Sequence, residues 1–232
     1  MLYIQKNVLF LIFYAFSNVF IYYLYPITHS LMNSIDKYKN ITPEHKKVYF
    51  ISNLIKGIVL GLFTPLAFGI LYNYFIHNIW NLYLIKCMAA VYCSLDLVSI
   101  FCIHKMQFNT TVHHIMVQVL FLISLLCFDF REDTISNPIV IYAIFSTFAF
   151  GVNLYLALRL VLHKNIKLIA TLASIVYQFC CTINWSYQCY YLYISGIDII
   201  FKIIYSILIL GIVSDDIVLI KFLNRNSYLK TN

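Results

Sequence analysis

Apolar residues run along this chain in long blocks, with polar residues confined to short intervals between them. The blocks cover roughly 7–25, 48–76, 82–103, 111–128, 138–162, 166–194 and 197–220. Each approaches or exceeds the roughly 20 residues that an α-helix needs to cross the hydrocarbon core of a bilayer. Backbone that meets lipid has no water to bond to, so these blocks are expected to be helices. The pattern predicts an all-α polytopic membrane bundle of about seven transmembrane helices. Connections are short except for 26–47 and 129–137, with no internal repeat and no interval long enough for a soluble domain. The expected organisation is an N-terminal helix and basic loop over 1–44, a six-helix membrane domain over 45–222 and a short tail over 223–232.

Composition agrees with this class. The chain has 232 residues, 62% hydrophobic and 11% charged, where a soluble domain carries about 25% charged residues. Lys6 followed by an apolar stretch with small residues near Ala15 and Ser17 has the form of a signal peptide. The apolar run continues through VFIYYLY, which predicts an uncleaved first helix. Seven cysteines are scattered without a CxxC pair, so they read as small apolar helix residues and no metal site is expected from them.

Positive charge sets the expected orientation. Lys37, Lys39, Lys46 and Lys47, then Lys105, then Lys164 and Lys167, then Lys221, Arg225 and Lys230 all fall on one side of the predicted spans. The other side has Lys6 and Arg131, the latter beside Asp129, Glu132 and Asp133. The N-terminus is therefore expected outside or in a lumen, and the C-terminus in the cytosol. The net charge of +7 reads as a topology signal with some attraction to anionic headgroups; no nucleic-acid partner is expected. Two N-x-[ST] sequons, at Asn40 and Asn109, lie on the expected cytosolic side and should carry no glycan. Thr42, Pro43 and Glu44 read as N-cap, first position and first-turn acid of the second span.

Polar residues inside the spans are the candidate chemistry, because a charge at mid-helix costs at least about 2.5–3.5 kcal/mol. Asp96 lies well within the third span, with Tyr92 and Ser99 on the same face. Its structural alternative is an ion pair with Lys56 or Lys86. His113 and His114 follow Asn109, Thr110 and Thr111 at the start of the fourth span, and a neutral imidazole there is a competent nucleophile or general base. Asp96 is placed to orient one of them across the bundle. The alternative for the pair is interfacial headgroup contact, expected also for His29, His45, His77, His104 and His163. Asp198 and Lys202 are expected to pair at i, i+4. Asp215 and Asp216 are expected at a solvated helix end within reach of Lys221.

Tyr92 and Asp96, then His113–His114 opening the next span, then Ser146, Thr147 and Asn153 in the span after it, resemble the TLC domain. That family includes ceramide synthases, translocon-associated proteins, a cargo receptor and small lipid-homeostasis proteins. The resemblance covers about residues 45–222, with most of it in 91–153. It implies six core helices around a cavity, preceded by an extra helix with a lumenal start, in the endoplasmic reticulum or another endomembrane. It also implies His113, His114 and Asp96 as catalytic residues, with Tyr92, Ser99, Ser146, Thr147 and Asn153 in contact with lipid. No Asp or Glu occurs between Thr134 and Ile197, where ceramide synthases carry an acidic element, so the likeness is to the smaller members. The implied function is acyl transfer in lipid metabolism, with acyl-CoA as substrate, membrane lipids as partners, a homodimer as assembly and no resident cofactor. A non-catalytic lipid-binding or client-escort protein is the alternative. An elongase-like enzyme is a further one, although Thr110 stands where the first His of its H-x-x-H-H box would fall. A seven-helix receptor or transporter is weaker, since no Gly/Pro-interrupted repeat is present.

Overall fold

The computed structural model describes residues 4–162 and 164–228, so His163 and Lys230 lie outside the described residues. Regular structure among the described residues is helical throughout: α1 (Ile4–Met32), α2 (Asp36–Lys39), α3 (His45–His77), α4 (Leu82–Cys102), α5 (Phe108–Leu126), α6 (Ser136–Thr147), α7 (Phe150–Leu158), α8 (Ile166–Ile194) and α9 (Ile199–Asn226). Six of these are long and apolar enough to cross a membrane, and the bent pair α6 and α7 brings the number to seven when counted as one span. The chain is an integral, multi-pass membrane protein.

The span expected over 138–162 is bent by 43° between α6 and α7. Ser146 and Thr147 turn their hydroxyls back onto the carbonyls of Tyr142 and Ala143. The next two amides, of Phe148 and Ala149, bond three residues back instead of four. Hydroxyl back-bonding and a tightened turn are both recognised causes of helix bending. The bend carries α7 against α3. Gly57 makes that approach close, since a β-carbon there would lie 2.6 Å from Leu154 Cδ2 and 3.0 Å from the Leu154 amide nitrogen.

The central helix is α4. Just over half of its span is buried inside the protein, against a third or less for every other long helix. It packs on α1, α3, α5 and α6, while large apolar side chains of α1, α8 and α9 cover the outer surface. Lipid surrounds such a bundle, so outward Leu, Ile and Phe need no protein partner.

One end of the bundle gathers the start of α1, the α3–α4 turn, the connector 127–135 and the α8–α9 turn. There Asp129, 1% exposed, receives Lys86, Lys6 and Asn7. Trp80 Nε1 donates to Phe130 O at 2.9 Å. Asp129 and Phe130 both have left-handed backbone (φ 56° and 55°), a conformation with a steric cost for residues bearing a β-carbon. The Phe130 amide closes that turn onto Ser124 O at 2.8 Å. Burial opposes charge on Asp129, but the Lys6, Lys86 and Asn7 donors outweigh it and hold the carboxyl below its ordinary range.

Three local expectations are corrected. The second span begins at His45, and Glu44 occupies the cap position without a side-chain cap bond. Turn bonds from Lys46 to Pro43 O and from Lys47 to Glu44 O precede it, so Thr42 is not its N-cap. Asp198 does not pair with Lys202. It caps α9 through the Ile200 amide at 2.8 Å, while Lys202 donates to the carbonyls of Leu192 and Ser195 at the end of α8. Charged groups here satisfy backbone at the helix termini, where four donors or acceptors would otherwise be free. The third correction concerns Asp215 and Asp216. Because α9 continues to Asn226, they lie well inside the helix, and Asp216 is buried rather than at a solvated end.

Candidate functional site

At the opposite end, helices α3 to α9 surround a cavity of about 720 Å³. Residues at the start of α3, in the α4–α5 turn and near the end of α9 line its outer part. A smaller apolar cavity of about 50 Å³ lies deeper, walled by side chains such as Ile70, Met88, Phe121 and Ile144. Tyr92 and His113 line both cavities. They stand where the polar chamber meets the apolar one.

The floor is built from single polar residues contributed by different helices. From α3, Lys56 Nζ donates to Asp96 Oδ1 of α4 at 2.8 Å. His114 of α5 brings Nδ1 to 3.0 Å from the same oxygen and Nε2 to 3.3 Å from Lys56 Nζ. An ammonium can only donate, so Nε2 is the acceptor and the imidazole proton is assigned to Nδ1, on the Asp96 side. That proton does not point along a hydrogen-bonding line, and Nδ1 has no bonded partner. Asp96 therefore does pair with Lys56, one of the two structural alternatives. Lys86 instead joins Asp129 and Asn7 at the other end.

His113 faces elsewhere. Its ring lies edge-on to that of His114, with centroids 5.5 Å apart and planes at 86°. Its Nδ1 is 3.4 Å from Asp215 Oδ2 on α9. Thr110 Oγ1 steadies the same carboxylate through Oδ1 at 3.2 Å. The adjacent histidines thus serve two imidazole–carboxylate pairs. Neighbours on a helix diverge by about 100°, and here each finds a different neighbouring helix.

Beside them Asp216 accepts from Tyr142 Oη and, at 2.7 Å, from Tyr177 Oη. These two phenols satisfy the buried Asp216 carboxyl, which forms no ion pair among the described residues.

Of the residues expected to touch lipid, Tyr92, Ser146 and Asn153 line the main cavity. Ser99 and Thr147 lie outside the cavity walls. Ser99 is fully buried in the seam between α1, α3 and α4; it donates to Leu95 O and meets Ser52 Oγ at 3.0 Å. Thr147 is fully buried and spends its hydroxyl on Ala143 O. Their role is in packing and in the α6–α7 bend. Sequence reasoning did not count Lys56, Tyr142, Tyr177 and Asp216 in the site. Lys56 and Asp216 carried the same signal as Asp96, an ionisable residue inside an apolar span. The two tyrosines carried none among twenty.

Asp96, His113 and His114 bring potential ligand atoms within 4.8 Å of one another. Two imidazoles and a carboxylate make a ligand set for a divalent metal. The Lys56 ammonium already stands against Asp96 Oδ1 and supplies the positive charge, so a metal ion there would have to displace it. Comparison with family models, with curated proteins and with solved structures finds no match to this chain.

Proposed function

We propose that this protein is a lipid-modifying membrane enzyme that transfers an acyl group by way of His113. The observation that carries this reading is the position of His113, at the junction of a polar cavity and an apolar one with Asp215 behind its Nδ1. An amphiphilic acyl donor such as acyl-CoA needs both chambers, with its polar head in the larger and the start of its chain in the smaller. Asp215 Oδ2 stands 3.4 Å from Nδ1, which makes no hydrogen bond in this structure; tightening of that contact when substrate binds would hold the proton on Nδ1 and leave Nε2 as the nucleophile. Attack of Nε2 on the thioester carbonyl forms an N–C bond, and departure of the thiolate breaks the C–S bond. The acylated ring sheds its Nδ1 proton by way of Asp215, and the thiolate takes up that proton to leave as thiol. A hydroxyl or amine of the acceptor lipid then attacks the acyl-imidazole, the C–N bond breaks, and the acceptor's proton passes to the ring and restores neutral His113. One difficult transfer becomes two easier ones. Lys56, Asp96 and His114 hold α3, α4 and α5 in register beneath the reacting ring.

The ordered residues Tyr92, Asp96, His113–His114, Ser146 and Asn153 around one cavity support membership of the TLC family and its lipid-homeostasis members. The lysine and arginine distribution supports a cytosolic cavity mouth and C-terminus, with the N-terminus in the lumen of the endoplasmic reticulum. Membrane lipids and acyl-CoA are the proposed partners.

The test is expression of the wild type, His113→Ala and the His113→Ala/His114→Ala double variant at matched membrane levels, with total lipid profiles compared against empty cells. A lipid class raised by the wild type and by neither variant supports the reading and names the product. A product that persists in both variants overturns it.

A second reading, a lipid-binding or client-escort protein without catalysis, has its own support. Both acids deepest in the floor are already engaged, Asp96 in an ion pair with Lys56 and Asp216 in hydrogen bonds from two phenols. Identical lipid profiles in wild-type and empty cells, with lipid retained by the purified protein, favour it.

A further inference from the structure

The outer part of the main cavity is strongly and one-sidedly charged. Lys46 from α3, Lys105 from the α4–α5 turn, Arg159 just beyond α7, and Lys221 and Arg225 from α9 all line it. None of these five forms an ion pair with a carboxylate among the described residues. The acids that could have neutralised them are committed further in, to Lys56, to His113 and to two tyrosines. Four of the five are long side chains that water alone could satisfy. Arg159 is different. Its guanidinium carbon lies 4.7 Å from the centre of the Phe222 ring and 5.9 Å from that of Tyr49. Its Nε is buried and has no hydrogen-bond partner. Phe222 and Tyr49 flank the guanidinium at the cavity wall, the Tyr49 and Tyr155 hydroxyls engage it, and Nε remains an unused donor. A guanidinium fork matches the oxygens of a phosphate or a carboxylate, and five positive side chains without a carboxylate partner favour the more highly charged phosphate.

We propose that the cavity mouth is a phosphoanion-binding site centred on Arg159, which receives the phosphate-bearing head of an amphiphile. The site rests on the acyl-transfer reading only for the claim that this head belongs to a substrate. Binding itself is independent of His113. Phosphate chemistry of this kind has two sources, a soluble phosphorylated acyl carrier or the headgroup of an anionic membrane lipid.

The full chain reconstituted in phosphatidylcholine nanodiscs separates the two. Coenzyme A is the soluble probe, and replacement of part of the phosphatidylcholine by phosphatidate is the lipid probe. For the soluble source, the wild type binds coenzyme A with an affinity that falls as salt is raised. Arg159→Gln weakens that binding by about tenfold or more, because it removes a charge-assisted fork. Arg159→Lys restores only part of it, since charge returns without planar geometry. For the lipid source, coenzyme A leaves the protein unaffected while phosphatidate raises the unfolding midpoint of the wild type and not of Arg159→Gln. Either pattern supports the site. Should Arg159→Gln fold poorly, the exposed pair Lys221→Gln/Arg225→Gln is expected to weaken the same probe. Wild-type protein that responds to neither probe overturns the proposal, as does a response unchanged in all of these variants. His113→Ala retains probe binding in every case. Loss of lipid product in the cell assay with intact probe binding in His113→Ala is the expected division between site and chemistry. Binding without any wild-type lipid product defeats the acyl-transfer reading alone.

Discussion

Lys56 Nζ and Asp96 Oδ1 meet at 2.8 Å between α3 and α4, with each side chain about nine-tenths buried. The pair holds together the two helices that bear most directly on the cavity floor. Its removal from one side is expected to be costly and from both sides much less so, because the main penalty is a buried charge left alone. Lys56→Met is expected to lower stability in detergent by about 3–5 kcal/mol. Lys56→Met/Asp96→Leu should recover much of that loss. Equal destabilisation by the single and double variants, measured by thermal unfolding, would show that the pair is not the unit that matters.

Asp215 touches His113 rather than substrate and is a positioning residue. Asp215→Asn keeps the shape but disturbs the imidazole tautomer. It is expected to lower kcat by about a hundredfold with KM little changed, and to alter the pH profile of the reaction. A loss carried by KM alone, with an unaltered pH profile, contradicts this role.

Asp129 gives stability a defined pH dependence. Its folded-state carboxyl is held below the ordinary range by Lys6, Lys86 and Asn7, against the opposing effect of burial. A depressed carboxyl contributes stability that is fully present above the unfolded-state value of about 4 and is lost as pH falls through the lower folded-state value. Unfolding midpoints should therefore be flat near neutrality and decline in the acid range. Asp129→Asn should be less stable at neutral pH and show a shallower decline; an equally steep decline assigns the acid sensitivity elsewhere.

Gly57 sets the separation of α3 and α7. Gly57→Val must push a side chain into Leu154, including its backbone nitrogen at 3.0 Å from the first added carbon. Overpacking of this kind costs about 1–3 kcal/mol. Unfolding measurements on Gly57→Val and on Gly69→Val, where nothing lies within 4 Å, separate this contact from the general effect of replacing glycine in a helix.

Asn40 and Asn109 report orientation. Both lie at the cavity-mouth end, Asn40 just after α2 and Asn109 in the first turn of α5. With that end in the cytosol, neither acquires a glycan in a eukaryotic host, whereas an acceptor sequon introduced into the 127–135 connector does. Glycosidase-sensitive mobility of the wild-type chain would reverse the proposed orientation.

The spans were legible because a bilayer imposes one requirement on every residue that crosses it, and hydropathy records that requirement locally. Seven blocks were anticipated, and their positions agree with the helices to within a few residues at most ends. The extension of α1 through Pro26 to Met32 and of α9 to Asn226 was not anticipated, since helix continuing past the apolar core leaves no hydropathy signal. The polar residues Asp96, His113 and His114 were also legible, because each stands out against an apolar background.

What each of those residues meets was decided by the tertiary structure. Asp96 had two candidate lysines in sequence, and helix packing gave it Lys56 while sending Lys86 to Asp129. Sequence placed Asp96 to orient one of two adjacent histidines, and their divergence on α5 assigned His114 to α4 and His113 to α9. Asp216 looked like a helix-end acid until the length of α9 buried it beneath two tyrosines. Residue type and local spacing alone specify a membrane bundle and the residues that must be kept from lipid, because the energy of burial depends on both. Partners, cavity walls and the bend at Thr147 depend on which helix faces lie opposite one another, and that is a property of contacts between residues tens of positions apart.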